Sequence, residues 1–385
     1  MSLLRRFFST VFLCLSFVGI ASAADNGFVY IGTYTQPNKS DGIYVLHLDP
    51  ATGALSEPQL AGKTISPSFL ALHPNHKYLY AVNEVADFQG KKSGAVSAFA
   101  IDAKNGQLTF LNQQPSGGEG PCYVGLDHTG KVALVANYNS GSVASFPIGD
   151  DGKLKNAATI DQHTGKSANP QRQEGPHAHC FDVDPANHFA LANDLGLDKI
   201  FVYKLDTASG KLTPNTPPTA SVPDGSGPRH LAFSRDGRYV YCINEIASTV
   251  TAFQYDGSKG TLQMIETMST LPANFHGSST CAEIILHPSG KFLYGSNRGH
   301  DSIAIFAIDP ATGKLTAAGH ESTQGKTPRG FNIDPTGQYL LAANQNTDNV
   351  VLFRIDQNTG ALKPAGSSVK VGSPVHVVFF ETGQQ

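Results

Sequence analysis

Along most of the chain, short runs in which apolar and polar residues alternate are separated by turns rich in Gly, Asp, Asn and Pro. Residues 227–245, "GPRHLAFSRDGRYVYCINE", are representative: a period of two on either side of Arg235-Asp236-Gly237 predicts two short strands joined by a tight turn. The same design returns in "SPSFLALHPNHKYLYAVNE" (66–84), "GPCYVGLDHTGKVALVANY" (120–138), "GPHAHCFDVDPANHFALAND" (175–194), "TCAEIILHPSGKFLYGSNR" (280–298) and "TPRGFNIDPTGQYLLAANQ" (327–345). Each hairpin runs on into a third strand such as "DSIAIFAIDPATGKLT", whose Asp-x-x-x-Gly-x-Leu ending marks a further turn and strand. The repeating unit is therefore four antiparallel strands.

The Pro that opens each unit falls at 67, 121, 176, 228, 328 and 374, with Cys281 in its place once, a period of 46 to 55 residues. Four strands in about 50 residues is a propeller blade. Six complete units fill residues 66 to about 370. The ends supply a seventh: "FVYIGTY" (28–34), "GIYVLHLD" (42–49) and the segment around Leu55 from one side, "SPVHVVFF" (373–380) from the other. The pattern predicts an all-β, seven-bladed β-propeller, its ring closed by pairing N- and C-terminal strands in one blade, which removes an exposed edge. The absence of Trp argues against the Trp-Asp type of repeat.

Residues 1–23 break the pattern. Arg5 and Arg6 precede an apolar run, Phe7 to Ile20, and Ala21-Ser22-Ala23 follows, the layout of a secretory signal peptide. The run is short for a membrane span and no second candidate follows, so residues 24–385 are expected as one exported propeller domain, periplasmic or secreted, with no membrane span after signal removal. That part carries 26 basic and 31 acidic residues, a net −5, which suggests neither nucleic acid nor a membrane surface as partner. A monomer is expected. Four of the five cysteines remain, Cys122, Cys180, Cys242 and Cys281, too widely spaced for a metal motif and read as buried free thiols.

Blade faces pack on one another, so chemistry belongs at strand ends. In an antiparallel hairpin the start of the first strand lies beside the end of the second, which brings the residues after the opening Pro and after the closing Asn to one mouth of the channel. This gathers His177, His179, Asp194, Arg229, His230, Glu245, Arg298 and Arg329 from consecutive blades. Arginines on one rim suit an anionic or developing anionic ligand, and Glu245 with a histidine supplies acid–base partners. Against this stands the reading of polar strand ends as solvated turns. A divalent metal is not expected, because the neighbouring arginines repel it. His73, His76, His128 and His287 fall in the turns at the opposite mouth, and "GGEG" (117–120) opens a strand and not a helix, so it offers no phosphate cradle. The polar stretch 161–175 before His177 is longer than a simple turn, either an ordinary connector or a loop that covers the substrate.

The period together with "YIGTYT" (30–35), "GPHAH" (175–179), "GPRH" (227–230), "NE" (244–245), "NRGHDSI" (297–303) and "PRGF" (328–331) resembles the lactonase family of seven-bladed propellers. That family includes the propeller-type 6-phosphogluconolactonases and the fungal carboxy-muconate lactonizing enzymes. The resemblance covers essentially the whole chain after residue 23. It implies a carboxylic-ester hydrolase acting on a small-molecule sugar lactone without cofactor, with His177 or His179, Arg229, Glu245 and Arg298 as catalytic residues. Arg329, His230 and Asp194 are added as substrate-binding candidates. Sugar phosphates are cytosolic, so an exported chain need not use a phosphorylated lactone. A muconate-type lactonizing reaction and a non-catalytic periplasmic binding propeller are the alternatives.

Overall fold

A computed structural model describes residues 27–380, so the expected signal segment lies outside the described residues. Seven four-stranded antiparallel sheets are arranged as blades, and among the described residues there is no helix. Blade 1 pairs Gly27–Thr33, Gly42–Leu48 and Gln59–Lys63 with Pro374–Phe380, which takes the innermost place and closes the ring. Blades 2 to 7 follow in sequence, their innermost strands being Leu70–Leu72, Pro121–Leu126, Ala178–Val183, Pro228–Phe233, Thr280–Leu286 and Pro328–Ile333. One expected strand is displaced: Leu55 makes a single bridge to Leu48, and the third strand of blade 1 is Gln59–Lys63. A two-stranded ribbon, Asp87–Phe88 with Lys91–Lys92, interrupts blade 2.

The alternation seen in the sequence becomes seven apolar clusters, one at each blade–blade interface. Between blades 5 and 6, for example, Tyr241, Ile243 and Val250 pack against Cys281, Leu293 and Phe306. Between blades 1 and 2, Phe28, Tyr30 and Ile43 meet Leu79, Ala81 and Phe99. Each fully buried large side chain contributes roughly 1.5–3 kcal/mol, so the interfaces dominate the stability of the ring. Tyrosine hydroxyls tie neighbouring blades where this packing ends: Tyr30 donates to Gly106 O, Tyr80 to Gly152 O and Tyr294 to Gly360 O, at 2.8–2.9 Å. Cys122, Cys180, Cys242 and Cys281 are buried free thiols, as expected.

Candidate active site

Two backbone devices build the mouth. The first is a β-bulge near the start of the innermost strand. In blade 5, Pro228 pairs with Asn244 and His230 with Ile243, which leaves Arg229 as the extra residue. The same irregularity leaves out Cys122 in blade 3, His179 in blade 4 and Arg329 in blade 7. A bulge bends its strand and re-aims the extra side chain, and here it delivers those side chains to the mouth. The second device fixes the residue after the closing Asn. The N–H groups of Tyr34, Glu84, Tyr138, Glu245 and Gln345 donate to the carbonyls of Ser373, Ser66, Gly120, Gly227 and Thr327, at 2.7–3.1 Å. Those acceptors have φ of 45°, 40°, 64°, 68° and 60°. Glycine adopts this left-handed region freely, whereas Ser66, Thr327 and Ser373 hold it against steric cost.

The mouth opens into a cavity of about 440 Å³ to which every blade contributes. Its lining is Tyr34, Glu84, Cys122, Tyr138, Asn139, Arg172, His179, Glu245, Thr280, Arg298 and Arg329. A groove of about 430 Å³ beside it, between Thr35–Asp41 and Lys63–Ile65, gathers no comparable set of charges.

Glu245 is the hub. Its Oε2 accepts from Arg229 Nε at 2.9 Å and pairs with Arg298 Nη2 at 2.8 Å, while Oε1 accepts from Arg172 Nη2 at 2.6 Å. Burial disfavours the carboxylate, but Arg298, Arg229 and Arg172 outweigh it and hold the Glu245 carboxyl far below the usual carboxylate range. Arg229 is 2 % exposed, and burial with the nearby Arg329 and Arg298 charges lowers its pKa to about 10 despite Glu245, so it stays cationic at neutral pH. Its Nη1 donates to Ala282 O at 2.6 Å and lies 3.4 Å from His230 Nε2. A guanidinium only donates, so His230 accepts there and gives its Nδ1 proton to Glu283, 2.7 Å away.

The expected residues divide accordingly. His179, Glu245, Arg298 and Arg329 line the cavity, and Arg229 braces Glu245 from behind. His230 faces instead a separate stretch of channel, about 380 Å³, shared with Phe69, Tyr123, Asp182, Glu283 and His376. Asp194 corrects the sequence alignment. It pairs with Ala178, the place Asn244 takes opposite Pro228, and the mouth position in blade 4 falls to Leu195. Its buried carboxylate is used by His163 Nδ1, His177 N and Gly196 N at 2.6–3.0 Å, so it organises the loop and does not face the cavity. His177 precedes the bulge; its carbonyl accepts from Leu195 N at 3.0 Å and its Nδ1 donates to Tyr138 O, also at 3.0 Å. His179 is therefore the blade-4 counterpart of Arg229.

His179 is buried with no hydrogen bond at Nδ1. Burial first, then the Arg229, His230 and Arg329 charges, push its pKa well below 6.5, which leaves a neutral imidazole. Arg329 lies over the Tyr34 ring at 5.3 Å, and Tyr34 donates to Glu84 at 2.9 Å. Glu84 and Tyr138 fall at the mouth by the closing-Asn rule but were not singled out in the sequence, nor were Arg172, from the 161–175 stretch, Tyr34, Asn139 and Thr280. Arg172 belongs to a connector and to no repeat position; its Nη2 also reaches Tyr138 Oη at 3.2 Å. Tyr34 could have been found as the residue after Thr33, which stands in blade 1 where other blades have the closing Asn. Among the described residues no group of three or more His, Cys, Asp or Glu is placed to hold a metal ion.

The family model "Lactonase, 7-bladed beta-propeller" matches residues 28–379. The chain belongs to this lactonase family. Within it, the 6-phosphogluconolactonase of Bacillus subtilis is 41 % identical over 305 residues, 79 % of this chain and 84 % of that protein. The 6-phosphogluconolactonase of Formosa agariphila is 36 % identical over 309 residues, 80 % of this chain and 86 % of that one. Among solved lactonase structures, the periplasmic gluconolactonase of Pseudomonas aeruginosa superposes with a TM-score of 0.87 at 34 % identity, covering 92 % of this chain and 99 % of that one.

Proposed function

We propose that this propeller hydrolyses a sugar lactone at the Glu245 mouth, as an exported, metal-independent carboxylic-ester hydrolase whose substrate need not be phosphorylated. The family supports the reaction class. The observation that carries the placement is a neutral, buried His179 sharing one cavity with Arg329 and with the Arg298 and Arg172 that hold Glu245.

In this reading His179 takes a proton from water as the water oxygen bonds to the lactone carbonyl carbon. The oxyanion that forms is stabilised by Arg298, and Arg329 holds the carboxylate end of the product. Collapse breaks the ring C–O bond, and the imidazolium returns its proton to the departing ring oxygen. The hydroxy acid then ionises and releases one proton per turnover. Glu245, with three guanidinium partners, is too weak a base for the first step; it fixes the cations, and Arg229 acts through it. The His179 base is weak until charge enters the cavity, because a developing oxyanion offsets the cations that depress it.

A pH-stat on D-glucono-1,5-lactone, its 6-phosphate and a muconate tests the reading, before and after exhaustive chelation: lactone hydrolysis releases a proton, whereas lactonization of the muconate takes one up. Lactone hydrolysis that survives chelation is expected. Turnover of the muconate alone, or no turnover of any substrate, would overturn the proposal.

A further inference from the structure

The two carboxylates of the cavity stand across the ring from each other, Glu84 in blade 2 and Glu245 in blade 5, and the fold treats them oppositely. Glu245 is spent on guanidinium groups. Glu84 forms no ion pair among the described residues, and its partners are two hydroxyls. Tyr34 Oη donates its proton toward Oε1 and Oε2, each at 2.9 Å, and Ser68 Oγ donates to Oε2. A carboxylate accepts at about four positions, and two hydroxyl protons leave part of that capacity unfilled on a residue that lines the cavity. Tyr34 has given its one proton to Glu84, so its oxygen offers the cavity an acceptor as well. The Arg329 guanidinium over the Tyr34 ring holds the phenol in place.

On one side of the cavity Arg172 and Arg298 surround Glu245; on the other, Glu84 and the Tyr34 oxygen present acceptors, with the Arg329 guanidinium lying over the Tyr34 ring. The acceptors suit O–H groups, and a ligand that has none leaves their spare capacity unfilled.

We propose that Glu84 and Tyr34 set substrate specificity by accepting hydrogen bonds from the ring hydroxyls of a polyhydroxylated lactone, while the cations opposite take its carbonyl. This rests on the lactonase reading and names the class of lactone that the site selects. A lactone without hydroxyls covers the half-buried Glu84 carboxylate and shuts water out while filling none of its remaining acceptor positions, the situation in which hydrogen-bonding sites discriminate strongly.

The test compares kcat/KM for D-glucono-1,5-lactone with that for δ-valerolactone, the same ring without hydroxyls, in the unmodified chain and in Glu84→Gln. The amide keeps the shape of Glu84 and can still accept from Tyr34, but it turns an acceptor face into a donor. The ratio of the two kcat/KM values is expected to fall by about 10- to 100-fold, the worth of a hydrogen bond to a charged group. Tyr34→Phe removes the weaker acceptor, and its ratio is expected to fall by about three- to tenfold. It carries the same comparison should Glu84→Gln fail to fold. A ratio within about threefold of the unmodified value in active Glu84→Gln, whatever the absolute rates do, overturns the assignment of Glu84 alone. If the unmodified chain hydrolyses neither lactone, the lactonase reading fails and the assignment falls with it.

Discussion

The two ends of the blades obey different rules. At the turn end, one backbone problem is met with a few recurring parts, an Asp in blades 3, 4 and 7 and a His in blades 2 and 6. Asp127 Oδ1 accepts from the N–H groups of Lys131 and Val132, Asp184 Oδ1 from His188 and Phe189, and Asp334 Oδ1 from Tyr339, at 2.6–2.8 Å. The turn glycines Gly130, Gly237, Gly290 and Gly337 share φ of 69–75°. His73 and His287 reach across to Gly130 O and Gly337 O of the next blade, both at 2.9 Å, which makes them structural residues. At the mouth end, the position after the closing residue reads Tyr34, Glu84, Tyr138, Leu195, Glu245, Arg298 and Gln345 around the ring. Each of blades 2 to 7 must make this turn, with Asp, His or Ser before it and Gly, His76 or Asn187 at its positive-φ position, whereas nothing in the fold calls for the residues at the mouth. Departure from the repeat therefore points to chemistry.

The largest break in that contrast should come from Glu245→Gln. Removing the carboxylate leaves Arg172, Arg229 and Arg298 facing one another without an anion, so unfolding stability should drop by roughly 3 kcal/mol. Lactone kcat/KM should fall more than 100-fold. Denaturant unfolding and a pH-stat assay read the two, and retention of both would remove Glu245 as the hub.

His179→Asn should act on chemistry alone. It is expected to lower kcat by roughly 10²–10⁴-fold, the range of general acid–base contributions, with a stability change of about 1 kcal/mol at most. The pH profile sharpens this. A base works when neutral, so activity is present above its pKa and is lost as pH falls through it. Because burial and nearby cations depress the His179 pKa, the acidic limb of kcat/KM should lie below pH 6.5. A limb at or above 6.5 would argue against His179 as the base.

Asp334→Ala, at the repeated end, should reverse the pattern, costing about 1–3 kcal/mol through the unpaired turn N–H groups while kcat per folded molecule stays unchanged. Smallest of all, Tyr294→Phe should cost about 1 kcal/mol for the lost bond to Gly360 O and leave turnover untouched.

The same contrast explains what the sequence made legible. Seven blades, their register and the closure through Pro374–Phe380 were readable because each blade repeats a solution. The position after the opening Pro also located Arg229 and Arg329, and that after the closing Asn located Glu245 and Arg298. Both failed in blade 4, where Pro176 stands two residues ahead of the strand, so that His177 takes the place of Gly227 and Asp194 that of Asn244. Counting back from the end of the second strand would have chosen His179. Arg172 was out of reach, because its position depends on the fold of 161–175, where Gln173 Nε2 donates to Leu195 O and Ser167 Oγ donates to Asp198. No repeat encodes that connector.

A crystal structure of the chain with D-gluconate, the product acid of D-glucono-1,5-lactone, tests the central claim most directly. The account predicts gluconate in the Glu245 mouth, its carboxylate within hydrogen-bond reach of Arg298 or Arg329 and beside His179, and its hydroxyls toward Glu84 and Tyr34. Gluconate bound at the turn end, or at the mouth with its carboxylate against Glu84, would contradict it.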